Sequence, residues 1–217
     1  MNMYTSLEPE ANSFRRNTRS YNSLLACTSF RANVNEEFQK TGVSNFIIHG
    51  QVYYLIGSLL PEEEQVPRFA QLYIYDTENE ISNRLSIMNN LNKTILQNLQ
   101  NMLDTINPYI NSFRQVRNIL QTTKTSDISM LIHSDRIQDL RRYEAPISSD
   151  VAALMIGDGY DIEPSNRDIL LNHHQEGLQR ISELHPSYDP LYYVLLFPKG
   201  DDGWHKDIPL LGSKVRK

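Results

Sequence analysis

The sequence predicts an α+β fold: an antiparallel sheet, made of an N-terminal meander and a C-terminal hairpin, packed with two or three amphipathic helices. Three observations predict it. From Cys27 to Asp76 apolar and polar side chains alternate, with the β-branched and aromatic residues that pleated surfaces favour. From Thr77 to about Leu120 the period becomes that of a helix. Beyond Ile128 short alternating runs return, separated by Gly, Asn, Asp and Pro. The organisation expected is a disordered leader over 1–26, one α+β domain over 27–205 and a tail over 206–217.

The leader is polar, rich in Asn, Ser and Arg, with few large apolar side chains. Within it FRRNTRSYN sets Arg15, Arg16 and Arg19 beside Phe14 and Tyr21. Such interleaving can grip single-stranded nucleic acid by phosphate pairing and base stacking. A solvated segment has the same composition.

The runs SFRANV, FIIHGQVYYLIG and RFAQLYIYD predict the three strands of the meander. Gly50, inside the second, reads as a bulge. Pro61 and Pro67 bracket an acidic tip, Glu62, Glu63 and Glu64, which reads as a solvated loop. His49 has no metal-ligand partner at a usable spacing and reads as an ordinary strand residue. Arg68, at the start of the third run, could touch a phosphate.

Asp76 or Thr77 can cap the next helix, with Glu80 at capping-box spacing from Thr77. Ile81, Leu85 and Met88 then repeat on one face, and Asn89, Asn90 and Asn92 weaken the helix beyond. Ile95, Leu96, Leu99, Met102, Leu103 and Ile106 give a second amphipathic stretch. Asn107-Pro108 interrupts it: Asn serves as N-cap and Pro as first helical residue of a new helix bearing Ile110, Phe113, Val116 or Arg117, and Leu120 on one side. The apolar faces suit packing on a sheet, or a dimer seam.

A polar connector over 121–126 leads to ISMLIHS, a strand. DRIQDLRRYEAP follows, with Arg136, Arg141, Arg142 and Tyr143 as the best local basic patch, partly neutralised by Asp135, Asp139 and Glu144. It reads as a nucleic-acid contact or as a salt-bridged surface. VAALMIG fits a short helix capped by Ser148 or Ser149, or a buried strand. Asp158, Asp161 and Glu163 lack the spacing of a calcium loop. RDILLNHHQEGLQRISEL predicts a hairpin, on which His173 and His174 would face opposite ways and could not chelate one metal together. HPSYDP turns the chain, LYYVLLF is a buried strand or short helix, and Lys199-Gly-Asp-Asp-Gly203 is a polar turn before the single Trp204.

Composition narrows the function classes. The net charge of −5 gives no global basic field for nucleic acid, so any DNA contact would be local. The lone Cys27 cannot form an intramolecular disulfide or supply a zinc-finger ligand set, and reads as a half-buried reduced thiol. No apolar run approaches the ~20 residues of a membrane span. The expectation is a soluble, intracellular protein.

Five blocks closely resemble the proteins of Helitron transposons: FIIHGQVYYLIGSLLPEEEQVPRFAQLYIYD, MLDTINPYINSFRQVR, VAALMIGDGY, the RDILLNHHQEGLQRISEL run, and LQRISELHPSYDPLYYVLLFPKGDDGWH. They span about Phe30 to Leu210, in the family's order. The resemblance implies a rolling-circle transposase: a replication-initiator nuclease with a His-apolar-His metal motif and catalytic tyrosine, then a DNA helicase, acting in the nucleus. The sequence contains no His-x-His triplet, and Gly212-Ser213-Lys214 lacks both the preceding glycine and the following Ser or Thr of a phosphate-binding loop. In the family those parts lie downstream of the segment matching GDDGWH, so no catalytic residue is carried over. The reading is therefore a non-catalytic N-terminal region, truncated or from a degenerate element, with a DNA-positioning role. Its contacts would be Arg136, Arg141, Arg142 and Tyr143, with no cofactor, metal or small-molecule substrate. The alternative is a standalone protein-interaction module, a homodimer through its helices.

Overall fold

The computed structural model describes residues 3–34, 48–62, 64–123, 128–134, 147–156, 168–172, 178–206 and 208, with 31–34, 48–52 and 123 described by their backbone alone. Helices and two small antiparallel sheets make an α+β fold. In chain order they are α1 (Pro9–Leu25), β1 (Ser29–Val34), β2 (Ile48–Ile56), a 3-10 helix (Phe69–Tyr73), α2 (Glu80–Ile87), α3 (Lys93–Ile106), α4 (Pro108–Thr123), β3 (Ile128–Ile132), α5 (Ser148–Val151), β4 (Ala152–Ile156), β5 (Ile169–Asn172), β6 (Gln179–Arg180) and α6 (Tyr188–Tyr192). The sheet orders are β1-β2-β6 and β4-β3-β5, antiparallel throughout. Among the described residues no helix is long and apolar enough to cross a membrane.

The segment expected to be a disordered leader is instead α1. Pro9 opens it at a position where a missing N–H costs nothing. Ala11, Phe14, Tyr21, Leu24 and Leu25 then recur at helical spacing and are buried. A polar composition hides such a helix, because a stripe of four large side chains and one alanine suffices to bury one face. Because Phe14 is 2% exposed and Tyr21 0%, neither ring can stack on a base. Arg15, one of the arginines that the interleaved pattern would offer to phosphate, donates instead to the carbonyls of Met3 and Ser6, at 3.1 and 2.7 Å.

β1 and β2 pair as the first two strands of the meander. The register shifts between Arg31↔Tyr53 and Asn33↔His49, which leaves extra residues on β2 around Gly50, where a bulge was expected. The third run is not a strand: Phe69–Tyr73 winds into the 3-10 helix, and β6 takes the third place in the sheet by pairing with Leu55 and Ile56. The expected C-terminal hairpin is likewise not formed. β5 pairs with β3 in the second sheet while β6 joins the first, so the two runs diverge. The sheets approach each other where the N–H of Leu59 donates to the Asn172 carbonyl, at 3.0 Å.

The helices follow the sequence more closely. Asn92 caps α3, its side chain accepting from the Ile95 N–H at 3.1 Å, so the asparagine read as a weak point begins a helix. Asn107 Oδ1 accepts from Tyr109 and Ile110, each at 3.1 Å, which starts α4 at Pro108 as expected. Residues 148–156 divide between the two alternatives, one helical turn and then β4. Leu99 and Leu103 of α3, with Phe113 and Val116 of α4, sit in one hydrophobic core with Met130, Ile132, Ile169 and Leu171 of the second sheet. The buried parts of their apolar faces pack inside the fold, while Met102 stays 37% exposed.

α2 departs from its expected capping and face. It begins at Glu80, with Asn79 rather than Asp76 or Thr77 as N-cap. Ile81, Leu85 and Met88 are only partly buried, while Glu80 and Arg84 are 1% and 0% exposed.

Candidate functional site

Two features of the described surface have chemical character, and Phe30 belongs to both. The first is an aromatic cluster on the first sheet, built by α6. Asn22 of α1 holds α6 in place: its amide donates to the Tyr192 carbonyl at 2.9 Å, and its Oδ1 accepts from the Leu195 N–H at 3.1 Å. The Cys27 N–H donates to the Leu191 carbonyl at 2.8 Å. This lays Tyr192 on Tyr54 of β2, centroids 4.5 Å apart and planes 16° from parallel. Tyr188 lies 4.2 Å from Tyr54, and Tyr193 meets Tyr192 edge to face at 4.8 Å. Phe30 of β1 completes the group, 5.9 Å from Tyr192. Tyr54 is buried, but Phe30 and Tyr193 remain 42% and 38% exposed, so the cluster is a supported aromatic surface.

Three of these phenols, those of Tyr54, Tyr188 and Tyr192, are held neutral. Burial raises the pKa of Tyr54 far above the ordinary tyrosine range, with further increments from its hydrogen bond and proximity to Tyr193. Tyr188 and Tyr192 are raised too, again chiefly by burial. Neutral stacked rings suit flat apolar contact rather than proton abstraction or nucleophilic attack.

The second feature is a cleft of about 660 Å³ between the start of β1, the end of β2 and the 3-10 helix. Cys27 forms part of its floor. The thiol is fully buried rather than half-buried, and desolvation pushes its pKa up to about 12 despite the nearby Arg84. A thiol that stays protonated at neutral pH is a packing residue. The rim carries Phe30, Val66, Phe69 and Leu178, with the polar groups of Arg68 and Glu62.

The nucleic-acid contacts expected from sequence, Arg136, Arg141, Arg142 and Tyr143, lie outside the described residues; so do Asp158, Asp161, Glu163, His173, His174 and the side chain of His49, none of which was read as a metal site. His185 is buried, its Nδ1 accepting from the Ser187 N–H at 3.0 Å, a contact that shapes the turn into α6. Trp204 is 58% exposed, and its backbone N–H donates to Asp189 Oδ2 at 3.3 Å. Among the described residues no group of three or more His, Cys, Asp or Glu is placed to hold a metal ion.

Sequence reasoning missed the aromatic surface because its members come from Phe30, Tyr54 and 188–193, and only pairing of β1 with β2 and docking of α6 bring them together. The signal was there in part: YY recurs at Tyr53-Tyr54 and Tyr192-Tyr193.

The sequence matches no family model and no curated protein.

Proposed function

We propose that this chain is the non-catalytic, DNA-positioning N-terminal region of a Helitron-type rolling-circle transposase, and that it holds unpaired rather than duplex DNA. The five blocks of resemblance support the family. The observation that carries the DNA role is the pair of part-exposed rings, Phe30 and Tyr193, backed by the stack of buried Tyr54 on half-buried Tyr192. A ring held rigidly against other rings loses little freedom when a base stacks on it, and base–aromatic stacking is tolerant of sequence. The net charge of −5 makes global attraction to phosphate unfavourable, so stacking must supply most of the affinity.

The test is binding of labelled oligo(dT) and of a duplex of the same length, across about 50 to 200 mM salt. Binding of the single strand in preference to duplex is expected. Tyr193→Ala combined with Phe30→Ala should weaken it by about tenfold or more, since stacking contributes roughly 1–3 kcal/mol per base. Alanine at Arg136, Arg141 and Arg142 together should flatten the salt dependence by about 2 in log–log slope, three phosphates at ~0.7 each. Absence of binding to either form sinks the proposal. A stable dimer by light scattering that ignores DNA would favour the protein-interaction reading instead.

A further inference from the structure

We propose that the cleft beside the 3-10 helix is a subsite for one unstacked nucleotide, with Arg68 holding its phosphate; this rests on the DNA-positioning reading and gives that surface an end point. Four observations lead there. The cleft volume of about 660 Å³ lies within the ~300–1,000 Å³ typical of small-ligand sites. Phe30 is both a rim residue of the cleft and a member of the aromatic cluster, so a strand stacked on the cluster reaches the cleft without a gap.

The third observation is local strain. Phe69 has φ 54°, a left-handed backbone that a bulky aromatic residue adopts only under strain. The surroundings enforce it. The Arg68 N–H donates to Gln71 Oε1 at 3.2 Å, and Gln71 Nε2 donates to the carbonyls of Ser58 and Leu60, at 3.2 and 3.1 Å. The Ala70 N–H donates to the Cys27 carbonyl at 3.2 Å. The loop is thereby tied to the cleft floor in a conformation that sets the Phe69 side chain into the cleft wall. Strain maintained by this many contacts is typical of ligand clamps.

The fourth is charge. Arg68 is exposed, and among the described residues no carboxylate pairs with its guanidinium. Glu62 on the same rim accepts from the Gln65 amide. It disfavours a heavily anionic ligand and offers an acceptor to the amino or imino edge of a base. One flat apolar body, one donor edge and one anionic group describe a nucleoside monophosphate unit.

The experiment uses the full chain and three probes: dTMP, thymidine and oligo(dT), each titrated by calorimetry or ligand-observed NMR. The expected result is that dTMP binds, thymidine binds at least about tenfold more weakly, and Arg68→Ala removes that difference, the effect of losing one charge-assisted hydrogen bond. Arg68→Ala leaves the melting temperature unchanged because the side chain is exposed. Phe69→Gly removes the ring from the cleft wall and should likewise lose dTMP affinity. Oligo(dT) binding that Arg68→Ala leaves intact, with no binding of dTMP, overturns the subsite and leaves the DNA reading standing. Binding of dTMP without oligo(dT) overturns the DNA reading and with it the end-point role. Equal affinity for thymidine and dTMP overturns the phosphate assignment to Arg68.

Discussion

The guanidinium of Arg84 lies over the ring of Tyr73, 4.4 Å from its centroid, with both side chains fully buried. Each also reaches the C-terminus of α1: Arg84 donates to the Leu24 carbonyl, and the Tyr73 hydroxyl donates to the Leu25 carbonyl at 2.6 Å. A buried cation and a donor thus meet the unsatisfied carbonyls at the negative end of a helix. Glu80 neutralises Arg84 at 2.7 Å and also pairs with Arg114 at 2.8 Å, which is held in turn by Asp104 at 3.0 Å. Burial disfavours the Arg114 charge, but Glu80 and Asp104 more than offset this and raise its pKa. This network fastens α1 to α2 and α4, and through Asn22 it helps set where α6 lies.

Breaking the network from one side leaves a buried charge uncompensated. Arg84→Met should therefore destabilise by about 3–5 kcal/mol, at the lower end because Arg114 still pairs with Glu80. Arg84→Met with Glu80→Met should cost clearly less than the sum of the single changes. Urea titrations followed by circular dichroism measure all three; strict additivity would contradict the coupling.

Asn107 satisfies two N–H groups at the start of α4 and is itself completely buried. Asn107→Ala is expected to lower stability by roughly 1–2 kcal/mol, and Asn107→Ser by less, because serine is a comparable cap. Thermal melts of the two variants give the comparison. An alanine variant as stable as the parent would show that the cap contributes nothing.

At Gly200, φ is 68° and an added Cβ would lie 2.5 Å from Pro108 Cγ. The turn after α6 therefore sits directly against the first residue of α4, and Gly200→Ala must strain the backbone and displace the proline ring. A loss of about 1–3 kcal/mol is expected in chemical denaturation. Retained stability would mean that this turn packs elsewhere.

Alkaline pH should weaken the fold through Cys27. Its thiol ionises near 9.0 when exposed and near 12 in the folded protein. The folded state thus keeps a proton that the unfolded chain has released. The contribution is whole below about pH 9 and is lost as pH rises towards 12, at about 1.4 kcal/mol per unit. Tyr73 and Tyr54, also raised chiefly by burial, add to the loss once ordinary tyrosines begin to ionise at 10.0. Between pH 9 and 10 the stability of Cys27→Ala should fall less steeply than that of the parent; parallel slopes would contradict a buried thiol.

The residue pattern alone determined the α+β class, the helical region from α2 to α4 and the Asn107-Pro108 bend between α3 and α4. Those are local matters: a 3.6-residue period and a capping side chain act within a few positions. What tertiary structure decided was partnership. RFAQLYIYD alternates like a strand yet becomes a 3-10 helix, because Gln71 and Ala70 find hydrogen-bond partners at Ser58, Leu60 and Cys27. β5 and β6, adjacent in sequence, pair in different sheets because each edge was offered by a strand more than thirty residues away. Glu80 and Arg84 look like a solvated helix face and are buried only because Arg114 and Asp104 arrive from α4 and α3 to balance them. The aromatic surface has the same origin. Its rings are spread along the chain, and neither hydrophobic period nor spacing carries information about which of them a folded sheet will stack together.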